Sequence, residues 1–181
     1  MMQRRMAESL AGSLAATLLA FILSGCGKSN TTQPPSGAPS GEAPAPAAPV
    51  ETAPALTDAQ KKALLGALPA EYQSPDLANG EAKFAACRAC HTLNPGGADT
   101  IGPNLWGIFG RKAGTRPAFS YSDEMKRAGW VWDADHINKC IENPKGALPG
   151  TKMTLAGVPN PNDRRDLIAY LKVQTSAPPK G

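Results

Sequence analysis

The chain has 181 residues, a formal net charge of +4 and a hydrophobic fraction of 41%, with 18 prolines and only 4 cysteines. That is room for one domain of ordinary size plus additional segments. The positive excess is modest and dispersed, with no basic stripe, recognition helix or RNA-binding motif, which argues against a nucleic-acid partner, and with Cys26 acylated, as its sequence context implies, three cysteines remain, so a full disulfide framework is not available.

In chain order, Arg4 and Arg5 precede an apolar run from Leu10 to Leu23. The run is too short to span a bilayer comfortably but has the length of a signal-peptide core, so residues 1–25 are expected to be a signal segment. Its end, Leu23-Ser24-Gly25-Cys26, resembles the processing site of bacterial lipoproteins. That resemblance implies acylation of Cys26 and a membrane anchor on the extracytoplasmic side, periplasmic in a bacterium, with two or more acyl chains for stable attachment. Residues 26–55 are rich in proline and alanine, with prolines at 34, 35, 39, 44, 46, 49 and 54. Such a segment cannot bury enough apolar surface to offset its ordering entropy and reads as a tether reaching about 30 Å. Within 56–74, Thr57 precedes leucines at 64, 65 and 68, the pattern of a short capped helix ending near Pro69, followed by a connector. Residues 75–175 are the expected folded domain and 176–181 a disordered tail.

The domain opens with a helical pattern, Leu77, Gly80, Phe84 and Cys87, in which Gly80 allows another helix to approach closely. Its end carries Ala86-Cys87-Arg88-Ala89-Cys90-His91-Thr92. Three chemistries use a C-x-x-C pair. A zinc site wants a second such pair or a pair of histidines, and the only other histidine is His136. A redox dithiol would follow a hydrophobic strand, whereas these residues read as a helix. Covalent haem attachment accounts for all five positions, Cys87 to His91. Residues three and four apart share a helix face, so both thiols and the imidazole meet one flat ligand.

Further along, Ser122 caps a short helix stopped by Gly129, with Met125 as a packing residue. A helix over 134–143 places His136 in its first turn, expected exposed, and puts Cys140 on an apolar face with Ile137 and Ile141. Met153, in Leu148-Pro149-Gly150-Thr151-Lys152-Met153, lies on a loop able to present a thioether to an open axial position. Asn160-Pro161 then introduces a terminal helix with the stripe Leu167, Tyr170 and Leu171.

From Asp76 to Gln174 the motifs C-R-A-C-H, G-P-N-L-W-G-I-F-G-R, P-G-T-K-M and D-L-I-A-Y-L-K resemble, in order and spacing, a class I cytochrome c of the mitochondrial and cytochrome c2 branch. The resemblance implies an all-α fold of short helices and loops around one covalent haem c, with the first and last helices of the domain crossing. It implies thioethers at Cys87 and Cys90 and axial ligation by His91 and Met153. It further implies a Pro103 carbonyl partner for His91, a propionate environment of Arg111, Tyr121 and Trp132, and a haem-crevice hydroxyl at Thr151. The family's docking face corresponds to Lys83, Lys112, Lys145 and Lys152. The sequence departs from the family pattern at Cys140, Met125 and Leu155. The implied function is outer-sphere one-electron transfer, not enzymatic catalysis. Its expected partners are redox proteins such as a quinol-oxidising complex, a terminal oxidase or a reaction centre. The alternative carried by the three departures is a haem peroxidase or gas-binding sensor whose Met153 dissociates.

Overall fold

A computed structural model describes residues 55–179. The signal segment, Cys26 and almost all of the tether lie outside the described residues. The described part is helical, with a single antiparallel bridge, Lys112 to Val131, and no strand.

The first helix, α1 (Asp58–Gly66), starts in a reciprocal cap. The Gln60 backbone N–H donates to the Thr57 hydroxyl at 3.2 Å, and the Thr57 N–H donates to the Gln60 side chain at 2.9 Å. A 3-10 turn at Ala70–Tyr72 follows. Leu64, Leu68 and Tyr72 are buried, and both elements pack against the last helix. Residues 56–74 therefore share the core of the domain.

Helix α2 (Leu77–Arg88) is capped by Asp76, and α6 (Pro161–Gln174) by Asn160 with Pro161 in its first turn. Their crossing is the main helix contact of the fold. A Cβ on Gly80 would overlap the Asp166 carbonyl oxygen and lie 2.7 Å from Tyr170 Cβ, so glycine is what lets the backbones close. The rings of Phe84 and Tyr170 then pack 5.8 Å apart. At one end of the crossing the Asp166 carboxylate, 2% exposed, accepts from the Asp76 N–H (3.1 Å), Asn79 Nδ2 (2.9 Å) and Arg165 (2.8 Å). Burial alone would raise its pKa, but these donors outweigh it and hold the carboxyl below its ordinary value.

Between α2 and α6 lie three short helices, α3 (Asp123–Arg127), α4 (Ala134–Glu142) and α5 (Pro144–Ala147), joined by long loops. Two buried polar residues organise those loops. Asn104 is fully buried; its side chain bonds Thr92 Oγ1 (2.7 Å), the Asn94 carbonyl (2.9 Å) and the Trp106 N–H (3.0 Å). Arg164 of α6 donates to Asn138 Oδ1 (2.7 Å) and to the carbonyls of Val158 and Pro159 (2.8 Å each), and pairs with Glu142 at 2.9 Å. It thereby ties the end of the 148–160 loop to α4. The tail is described to residue 179, without regular structure after Ser176.

Candidate cofactor site

The loops and helices enclose a cleft of about 440 Å³ with mainly apolar walls, including Phe84, Leu105, Ile108, Ile137, Ile141 and Leu171. Cys87, Cys90, His91, Pro103, Tyr121, Trp132, Thr151 and Met153 all line it. So do the three departures, Met125, Cys140 and Leu155. Arg111 stands behind this lining, half-buried.

The local geometry of the C-x-x-C-H segment differs from the expected helix face. Helix α2 ends at Arg88, and only Cys87 of the three residues lies within it. The N–H groups of Cys90 and His91 both donate to the Cys87 carbonyl at 3.0 Å. The chain thus turns over the helix end and still brings both thiols and the imidazole to one cleft. Burial, with the Cys90 thiol beside it, pushes the Cys87 thiol above its ordinary pKa.

His91 is held from both sides. Its Nδ1 lies 2.7 Å from the Pro103 carbonyl oxygen; a carbonyl can only accept, so Nδ1 carries the proton and Nε2 keeps its lone pair. Burial lowers the pKa, against the opposing effect of that bond, and favours the neutral ring that metal ligation requires. Gly102 lies flat against the imidazole: a Cβ there would overlap the ring carbon Cε1 and lie 2.8 Å from both nitrogens.

Across the cleft, Met153 follows a turn in which the Thr151 N–H donates to the Leu148 carbonyl (3.0 Å) and Gly150 takes φ +86°. The Met153 N–H donates to Thr151 Oγ1 at 3.2 Å. Lys152 Nζ bonds the Ser120 carbonyl at 3.0 Å, linking this loop to the segment that carries Tyr121.

The Arg111 guanidinium donates to the carbonyls of Trp106 (3.2 Å) and Asn104 (3.3 Å) and forms no ion pair with an acidic residue among those described. Burial lowers its pKa and raises that of Tyr121, whose ring sits close to the Arg111 charge. Burial also pushes the Cys140 thiol up to about 11, leaving it a neutral, small hydrophobe at working pH.

Two positions differ from expectation on the surface. His136 is half-buried: it stacks on Trp130 and its Nδ1 lies 2.8 Å from Asp133 Oδ1. Of the four lysines, Lys112, Lys145 and Lys152 are exposed, whereas Lys83 is already paired with Asp163 at 2.8 Å.

The donor set suits a covalently attached metallo-macrocycle. Two thiols, a neutral imidazole nitrogen and a thioether face one apolar cleft, and among the described residues no group of three or more His, Cys, Asp or Glu could hold a bare metal ion. The half-buried guanidinium of Arg111, without a carboxylate of its own, matches a ligand that carries acidic groups.

Residues 77–175 match the family model described as Cytochrome c. Cytochrome c2 of Rhodomicrobium vannielii is 45% identical over 103 residues, covering 57% of this chain and 82% of the relative. Cytochrome c2 of Blastochloris viridis is 42% identical over 109 residues (60% and 86%), and cytochrome c of Cochliobolus lunatus 42% identical over 105 residues (58% and 97%).

Proposed function

The chain belongs to the cytochrome c family, whose members carry haem c covalently and are one-electron carriers, not enzymes, and from that premise we propose a carrier held by a lipid anchor at an extracytoplasmic membrane surface. Membership of a family of electron carriers favours this reading over a haem peroxidase or gas-binding sensor whose Met153 dissociates. When bound, haem supplies a single iron centre that alternates between two oxidation states.

The protein's own residues do the rest. Cys87 and Cys90 would hold the haem through thioethers, and His91 Nε2 and Met153 Sδ would be the protein donors to its iron. The observation that carries this reading is the convergence of those four donors in one apolar cleft, with His91 oriented by Pro103. With His91 and Met153 both given to the iron, the protein would leave no position there for a substrate. The thioether and the apolar walls favour the reduced state and raise the potential. Arg111, Tyr121 and Trp132 would hold the propionates, and Thr151 orders the loop that bears Met153.

Anchoring through Cys26 and reach through residues 26–55 fit a shuttle between a quinol-oxidising complex and a terminal oxidase or reaction centre. Lys112, Lys145 and Lys152 would steer a weak, transient encounter with an acidic partner face. Mass spectrometry of the mature protein from membranes tests the anchor. A diacylglyceryl-modified Cys26 at the amino terminus, with release of the Cys26→Ser variant into the soluble fraction, supports it. An unmodified cysteine overturns it.

A further inference from the structure

Three aromatic rings lead from the cleft wall to the protein surface. Trp132 lines the cleft and is 9% exposed. Trp130 packs against it edge-on, with centroids 5.7 Å apart and planes at 79°. His136 stacks on Trp130 at 5.4 Å and 19°. The His136 side chain is 34% exposed, so solvent reaches it. Trp130 Nε1 is buried and has no hydrogen-bond partner among the described residues. The space between His136 and the cleft is thus filled by two indoles. Among the described residues no carboxylate bonds the Trp130 N–H.

A charge acting through such a wedge is screened less than one acting through solvent. We propose that His136 couples proton uptake to electron uptake, making the reduction potential of this carrier depend on pH. The proposal rests on the electron-carrier reading of the cleft. Asp133 Oδ1 accepts from Nδ1 at 2.8 Å, so Nε2 is the nitrogen left to take up a further proton. With Nε2 protonated, the imidazolium lies against Trp130, where the indole face attracts it, and its charge favours the reduced centre. The electron arrives from the redox partner and the proton from solvent. No bond to the metal forms or breaks.

Other charged groups share this region. Asp133 and Asp135 belong to the start of its own helix. Tyr72 and Glu71 lie on the 3-10 turn and Arg164 on α6, all close enough to Asp133 and Asp135 to share one field around Tyr72. The two aspartates offset part of the imidazolium charge and Arg164 adds to it. They set the size of the coupling; His136 is the imidazole of this chain that the carrier reading leaves off the metal.

The test uses the haem-loaded protein at constant ionic strength. Midpoint potential is measured between about pH 5 and 8 for the wild type and His136→Gln. The expected result is a potential that falls with rising pH in the wild type and a flatter profile in the variant. A second readout needs no variant. The chain has 2 histidines, and with His91 on the metal the imidazole NMR signals to follow against pH are those of His136. By linkage, its titration midpoint must be lower in the oxidised than in the reduced protein. Identical pH profiles for wild type and variant, or coincident midpoints in the two redox states, overturn the coupling. The same samples report the long-wavelength sulfur-to-iron absorption band. If the band is present and the coupling absent, this inference alone fails; if the band is absent, the carrier reading fails and takes the inference with it.

Discussion

The Nδ1 of His91 donates to the carbonyl oxygen of Pro103 across 2.7 Å, and Gly102, the residue between them in the loop, packs against the same ring. Orientation and tautomer of the imidazole are thus set by backbone alone, before any ligand is considered.

Gly102→Ala therefore strikes the ligand directly. Its Cβ would overlap the imidazole, so ring or loop must move and the Pro103 bond lengthens. Overpacking of this kind costs about 1–3 kcal/mol. Thermal unfolding of the haem-loaded variant should show that loss, together with a changed absorption spectrum. Wild-type stability and spectrum would mean that the loop is soft.

At the helix crossing, Asp166→Asn removes a buried charge that three donors address. Hydrogen bonds to a charged group are worth about 1.5–3 kcal/mol, and the variant should lose roughly that much at pH 7. The sign of the pH effect follows from the depressed pKa. The stabilisation is complete above the unfolded value of about 3.9 and disappears as pH falls through the lower folded value. Acid unfolding below about pH 4 should accordingly be shallower in Asp166→Asn. Parallel acid limbs would contradict the assignment.

The lysines separate into two kinds. Lys112, Lys145 and Lys152 are exposed, while Lys83 is engaged with Asp163. Association rates with an acidic redox partner should fall with rising ionic strength. Lys145→Gln should slow association more than Lys83→Gln does. A rate indifferent to salt would remove the docking face from the account.

Much of this was legible in the sequence because the informative residues act locally. Gly80 at helical spacing in an apolar stripe announces a close crossing, and Asn160-Pro161 announces the start of α6. Thr57 and Gln60 likewise announce α1. What stayed hidden depends on tertiary placement. Asn104 and Arg164 are polar residues with no periodic signal, yet burial makes them the organisers of both cleft loops. Asp166 has the same character. The packing of Tyr72 against α6 is invisible because a 3-10 turn leaves no hydrophobic period to read. His136 looks like a solvated residue beside two aspartates until Trp130, six positions earlier, folds back onto it. The helix over Cys87, Cys90 and His91 was expected to continue, but ends at Arg88, where the chain turns to meet the loop of Gly102 and Pro103.

The central claim is that His91 and Met153 together close one haem centre. Its most direct test is an optical redox titration of the wild type and Met153→Ala. The account predicts a single one-electron transition in the wild type, a sulfur-to-iron band in its oxidised spectrum, and loss of that band with a lower potential in the variant. An oxidised wild-type spectrum without the band, or a variant indistinguishable from the wild type, would contradict it.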